Sequence, residues 1–433
     1  MIGDLIGLSL LLSIFLTTFN RGFFTFPSFF LVLFLTVILL KLYFQNLKTD
    51  VPTFKNNLKY IFLISYLLFL YFSQGIYQIN LVPALLIDLL PLFFLPFLYL
   101  FIFKSDQQNK NRQIFWLFIL LAITLRILTI IASPQPVIDV FVILKEAPLK
   151  LLSGINPYNT VYSRVYQGSI TDYYPYWPYS FLISLPFVLF FKDPRVLLFL
   201  ADIMTGILIY LWAGKNLQAK LLSLIYLFRP NSLFIIEQSW LTPLLSLLTL
   251  ILFWTFSKTK HYLAGILMGI LSGIQPLFLA LIPLTFRLWR KKIRIAVTAL
   301  LTCLLAVTPF FLWQPVSFID KTILVYFKPL AELKTIPVHL SLNINTFFYT
   351  ITGNDIPQLL SLGFLLILLI YLFRRGYRII KSNSADFFPK QILLTTVFFY
   401  LFYLLFRQSF INYYYYAGSL VIFFIVFLSA SDK

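Results

Sequence analysis

Acids, amides and tyrosines that could do acid–base chemistry are concentrated in one stretch of this chain, residues 134–195, which reads PQPVIDVFVILKEAPLKLLSGINPYNTVYSRVYQGSITDYYPYWPYSFLISLPFVLFFKDPR. Asp139 follows two prolines at the end of an apolar run, where a carboxylate can act as a general base on an attacking hydroxyl. The plainer reading of Asp139 is a cap for the segment that follows, because aspartate favours helix N-termini. Glu146 stands seven residues on, on the same helical face and about 10 Å along the axis. Lys145 and Lys150 are candidates for a phosphate or for lipid headgroups. Arg164 offers a bidentate fork to the same kind of anion. Asp172, Tyr173, Tyr174, Tyr176, Trp177 and Tyr179 combine hydroxyls with flat apolar faces, as a carbohydrate surface or an interfacial aromatic belt would.

A second group of polar residues lies further along. Arg229, Pro230, Asn231, Glu237 and Gln238 flank or interrupt an apolar run, and ionisable groups at membrane depth face a cavity or a partner by default. Lys321, Lys328, Lys334, His339, Asn343 and Asn345 occupy a later polar stretch, where His339 offers a proton-dependent contact to phosphate and a solvated loop histidine is the plainer alternative. With two His in the chain, a histidine metal site is excluded. Asp202 lies inside an apolar run with Arg195 seven residues before it on the same helical face, which suggests a structural polar network rather than catalysis.

The elements that must position these residues are membrane helices. The 433 residues are 60% hydrophobic and 11% charged, and the apolar runs reach the ~20 residues a helix needs to cross a bilayer. They are Leu, Ile and Phe without period-two alternation, which favours helices over a barrel. Spans are expected at 5–19, 24–44, 58–74, 81–103, 114–132, 196–212, 221–236, 241–256, 295–313, 359–373, 392–406 and 413–428. Residues 262–286 are expected as a hairpin broken at Gln275 and Pro276, since proline breaks a helix interior. The total is about 14 helices on the length criterion. Residues 181–191 are too short for an untilted span and are read as a surface helix.

The net charge of +19 comes from Lys and Arg in short loops, the pattern of cytoplasmic loops rather than of a nucleic-acid surface. That rule puts Lys104, Lys110, Arg112, Lys215, Lys220, Lys258 and Lys260 inside and the stretches 133–195 and 314–356 outside. Neither a P-loop nor a Gly-rich dinucleotide fingerprint occurs, and the loops leave no room for a nucleotide-binding domain. The lone Cys303 permits no intrachain disulfide.

In this order the residues resemble a family. Asp139, Glu146-Ala147, the run Leu152-Ser153-Gly154-Ile155-Asn156-Pro157-Tyr158, and Tyr174-Pro175 with Trp177-Pro178 look like the first external loop of the GT-C glycosyltransferases. The likeness is to the GPI mannosyltransferase catalytic subunit and its bacterial polyprenol-phosphate-dependent relatives. It continues through Arg195 to Asp202, Arg229-Pro230-Asn231, Glu237-Gln238, Gly265, Gly269, Gln275 and Pro276, covering about 114–283. Two features depart from the pattern: a D-x-D pair is absent at Asp139, and Gln275 stands where relatives have Lys.

The resemblance implies an all-α GT-C-like bundle forming one integral membrane domain. Its core would be 114–313, followed by a second external loop at 314–356 and C-terminal helices at 357–433. It implies transfer of a hexose, mannose first, from a polyprenyl-phosphate donor to a lipid or glycan acceptor on the extracytoplasmic side of the cell membrane, with inversion. Asp139 would be the catalytic base. Lys145, Arg164 and His339 would meet the donor phosphate, and Glu146, Tyr158, Tyr174, Glu237 and Gln238 would shape the sugar and acceptor sites. No metal site is assigned, and the family leaves room for a divalent metal. The competing expectation is a transporter or flippase for a lipid-linked sugar, with binding residues at mid-depth between broken helices.

Overall fold

The computed structural model describes residues 2–19, 23–45, 47, 51–104, 108–166, 170–285, 292–327, 340–380 and 387–431. The described residues fold as helices, with one isolated bridge between Tyr162 and Thr171 and no strand. Seven helical segments among them are long and apolar enough to cross a membrane: Phe26–Phe44, Leu81–Phe103, Asn109–Ala132, Arg195–Trp212, Ile293–Trp313, Phe387–Leu405 and Ile411–Ser429. Other apolar helices, among them Thr242–Ser257 and Tyr179–Phe191, run to only 10–17 residues. The chain is therefore an all-α protein built on membrane-length helices.

Chain contacts divide it into two compact units. The first comprises Met1–Pro136, Phe199–Glu237 and His339–Lys433; the second comprises Val137–Leu198 and Gln238–Val338.

In the first unit the helices are α1 (Ile2–Leu16), α2 (Phe26–Phe44), α3 (Val51–Phe72), α4 (Leu81–Phe93), α5 (Leu95–Phe103) and α6 (Gln108–Ala132). The run 81–103 is jointed at Phe94, between Pro91 and Pro96, where ring clashes and missing N–H groups interrupt the ladder. The single span expected at 221–236 is instead α10 (Leu217–Leu227) and α11 (Ser232–Glu237). Pro230 offers no N–H there, and Asn231 takes the left-handed conformation at φ 63 that an asparagine tolerates. The unit closes with α17 (Ile344–Thr352), α18 (Gln358–Ile380), α19 (Phe387–Leu405) and α20 (Ile411–Ser431).

Side chains satisfy the carbonyls that this break exposes. Arg126 donates to Leu227 O at 2.9 Å and Ser65 to Phe228 O at 3.1 Å, while Asn231 donates to Thr17 O. Arg229, fully buried, donates to Tyr415 O at 3.0 Å and Ser419 Oγ at 2.9 Å, with its guanidinium 3.8 Å from the centre of the Tyr415 ring.

The second unit begins with α7 (Asp139–Leu152) and α8 (Tyr179–Phe191), which leads into α9 (Arg195–Trp212). It continues through α12 (Thr242–Ser257), α13 (His261–Ser272), α14 (Leu281–Thr285), α15 (Lys292–Trp313) and α16 (Pro315–Thr322). Helix α13 stops where proline predicts: Gln275 is extended at φ −139, ψ 124, and a short 3-10 turn runs over Pro276–Ala280. The carbonyls freed at this stop accept from the aromatic stretch, Gly273 O from Tyr179 N–H at 2.9 Å and Ile274 O from Trp177 N–H at 2.8 Å. Upstream, α13 lies against α15 through small residues, as membrane helices do when backbones approach closely. A Cβ on Gly269 would stand 2.6 Å from Ala299 O.

Candidate functional site

Helix α7 carries the candidate base. Its buried residues Phe141, Leu144, Ala147 and Pro148 recur at helical spacing. It ends where Gly154 turns left-handed at φ 73 and Ile155 N–H reaches back to Lys150 O at 2.9 Å, a glycine stop of the Schellman kind. Asn156 Oδ1 then accepts from Tyr158 N–H at 2.9 Å, turning the chain so that the Tyr158 ring points inward. The Gly154-to-Tyr158 element thus builds a helix stop and an Asx turn.

Asp139 is not the helix cap; that position is Ile138, which makes no side-chain cap bond. Asp139 is the first helical residue, half-buried, with Oδ1 accepting from Val140 N–H at 2.8 Å and Oδ2 accepting from the Tyr173 hydroxyl. Burial pushes its carboxyl above the ordinary 3.8, and hydrogen bonds from Tyr173, nearby backbone N–H groups and Tyr166 pull it part of the way back. The result is a carboxylate more basic than a free aspartate at the positive end of a helix dipole.

Around it, Lys145 Nζ and the Arg195 guanidinium lie 5.3 and 5.0 Å from the centre of the same Phe141 ring. The Arg195 charge is already met by Asp193 in a bidentate pair, with Nη2 to Oδ2 at 2.6 Å, and its side chain is fully buried. Arg195 therefore anchors the start of α9. Arg195 and Asp202 are both structural, but with separate partners, because the turn Lys192–Asp193–Pro194 brings an aspartate closer to Arg195 than a residue seven positions along the helix. Asp202 pairs instead with Arg126 at 2.5 Å, both side chains buried.

The remaining candidates separate by burial. Glu146 is half-buried and accepts from Ser163 N–H at 3.1 Å, tying the loop after α7 back to the helix. Arg164 is exposed on that loop, and His339 lies outside the described residues, as do Lys328 and Lys334. Tyr158 and Tyr174, expected at a sugar surface, are core residues instead. The Tyr158 hydroxyl donates to Tyr176 O at 2.9 Å and that of Tyr174 is 2.8 Å from Ser180 Oγ. Their rings meet edge to face at 5.7 Å, in a cluster with Phe181, Phe310 and Phe318. Helix α16, from the later polar stretch, covers this cluster, placing Phe318 4.8 Å from Tyr158 and Lys321 3.0 Å from Asp172.

Glu237 is corrected in the same way. It is fully buried in the first unit, where its carboxylate accepts from Ile76 N–H at 2.8 Å, Tyr77 N–H at 3.1 Å and Ser133 Oγ at 2.5 Å. Gly75 exists to admit it: a Cβ there would stand 2.1 Å from Glu237 Oε1. Glu237 is a clamp on the chain between α3 and α4, not an acceptor-binding group. Gln238 is buried. Among the described residues no three His, Cys, Asp or Glu side chains gather as a metal would require.

Asp139 with Tyr173 is therefore the candidate site, and Lys145, against Phe141, and Glu146, against Ser163, are carried on the same helix. Sequence reasoning missed Arg126 and the role of Tyr173. Comparison with known proteins adds no neighbour: no family model, curated protein or solved structure matches the chain.

Proposed function

We propose that this protein is a multi-pass GT-C-type glycosyltransferase of the cell membrane, with its reactive face outside the cytoplasm, that moves a hexose, mannose first, from a polyprenyl-phosphate donor to a lipid or glycan acceptor. The observation that carries the reading is the state of Asp139. It is a half-buried carboxylate with a raised pKa, held by a phenol and a backbone N–H, in the stretch that resembles the family's catalytic loop.

In the reaction the acceptor hydroxyl gives its proton to Asp139 as its oxygen bonds to the anomeric carbon. The bond from that carbon to the phosphate oxygen breaks, and the electron pair leaves with polyprenyl phosphate. Attack opposite the leaving group inverts the centre. Tyr173 orients the Asp139 carboxylate, and Lys145 is a cation on the same helix to offset charge growing on the phosphate. Arg164 and His339 remain candidates for that phosphate, and Glu146 for the sugar.

The test is incubation of the purified protein with a panel of labelled polyprenyl-phosphate hexoses and a lipid acceptor extract. Transfer from one donor that depends on Asp139 supports the reading, and no transfer from any donor defeats it. One observation favours a second reading, a transporter of a lipid-linked sugar. The buried Arg126–Asp202 pair and the buried Arg229, whose guanidinium lies against the Tyr226 and Tyr415 rings, put ionisable groups inside the apolar first unit. Movement of a labelled lipid-linked sugar across proteoliposomes, lost in a Tyr226→Phe protein that melts like the wild type and kept in Asp139→Asn, would establish that alternative.

A further inference from the structure

A cavity of about 800 Å³ opens in the first unit where three apolar helices begin or end: the first turns of α6, the last turn of α9 and the start of α10. Its lining is basic and polar at one end of these apolar helices. Arg112, Lys215 and Lys220 all contribute, with Asn109, Asn111 and Asn216, and no Asp or Glu is among the described lining residues.

Two of those cations are close enough to oppose each other. Lys220 is buried, and burial together with the Arg112 charge holds its ammonium below the ordinary 10.5. A buried ammonium beside a guanidinium, with no carboxylate among the described lining residues, is unfavourable unless an anion completes the site. The N-terminus of α10 adds the positive end of its dipole, with Asn216 Oδ1 already spent on Ala219 N–H at 2.9 Å.

The walls are interfacial. Trp116 and Tyr210 meet edge to face at 6.1 Å, and Trp116 is 42% exposed, so an indole lies at the mouth. From there Leu120, Ile127 and Ile131 of α6 are exposed apolar side chains along a helix of membrane length. A phosphate in the cavity would thus have an apolar helix beside it for acyl chains. We propose that this cavity binds a phosphate-bearing anion, as an anionic lipid headgroup or a soluble phosphate, at a site separate from the glycosyl-transfer chemistry.

The experiment uses the full-length protein in detergent and in nanodiscs. Native mass spectrometry counts phosphatidylglycerol, cardiolipin and phosphatidylcholine retained by the wild-type chain, and a parallel titration follows thermal stabilisation by inorganic phosphate and pyrophosphate. The expected result is retention of an anionic lipid over phosphatidylcholine, weakened at least about tenfold in Arg112→Gln/Lys215→Gln. Both of those side chains are exposed, so the double variant should fold. Stabilisation by pyrophosphate without lipid preference, lost in the same variant, assigns the site to a soluble phosphate.

Lys258→Gln/Lys260→Gln neutralises another exposed basic loop and should leave binding unchanged. An equal loss in that variant would show a diffuse basic belt and overturn the proposal. So would the absence of any preference for anionic lipid or phosphate. Asp106 lies outside the described residues near the start of α6; Asp106→Asn binding more than tenfold tighter than wild type would show that the cations already have an internal partner, and would also overturn it.

Discussion

Glu237 in the first unit and Asp139 in the second are both carboxylates set in an apolar chain, and they are held in opposite ways. Glu237 is wholly buried and accepts from two backbone N–H groups and a serine hydroxyl. Asp139 is half-buried, its Oδ2 accepts from a phenol, and burial raises its pKa instead of being fully offset. The first arrangement gives the carboxylate fixed donors and uses it to hold the chain between α3 and α4. The second keeps a basic carboxylate within reach of solvent. Burial of an acid therefore does not by itself mark a reactive site.

The comparison can be broken most severely in the first unit. Asp202→Asn removes the partner of Arg126 and leaves a buried guanidinium, which should cost about 3–5 kcal/mol. Thermal unfolding in detergent should register it, and the double variant Arg126→Met/Asp202→Leu should recover most of the loss. Gly75→Ala comes next. The added Cβ would stand 2.1 Å from Glu237 Oε1, so the clamp must open, at roughly 1–3 kcal/mol. Glu237→Gln should destabilise to a similar or smaller degree, and its effect should not add to that of Gly75→Ala because both act on one contact.

The smallest effect on stability, and the sharpest on chemistry, belongs to Tyr173→Phe. A base works only when ionised, so transfer falls as pH drops through the Asp139 pKa, and the raised value places that acid limb above 3.8. The Tyr173 hydroxyl favours the ionised form, so removing it should move the limb further up. An unmoved limb would disconnect Tyr173 from the base. The same shift carries a sign for folding. With the folded pKa above the unfolded one, whatever Asp139 contributes is present below about 3.8 and lost as pH rises through the folded value. Once ionised, the carboxylate is a cost to the fold.

Much of this was legible in the sequence. The stop at Gln275 and Pro276 followed from the missing N–H, whereas Asp139 carried two readings, a cap and a base, of which the structure removes the first. The aromatic stretch was not decidable. Tyr158 and Tyr174 have the composition of an interfacial belt, and the Asx turn at Asn156 that sends Tyr158 inward leaves no side-chain pattern. Glu237 misled for a related reason: its main partners are backbone N–H groups of Ile76 and Tyr77, which any sequence would supply. The pair Arg126–Asp202 had a signal that went unread, since two opposite charges each inside an apolar run are expected to find one another.

The central claim is that Asp139 is kept basic for catalysis and not for the fold. It is tested most directly by Asp139→Asn, with transfer from a labelled polyprenyl-phosphate hexose and thermal unfolding measured on the same preparation. The prediction is transfer lowered by about 10²–10⁴-fold, with a melting temperature equal to or above that of the wild type. A folded Asp139→Asn protein that transfers the sugar at the wild-type rate would contradict it.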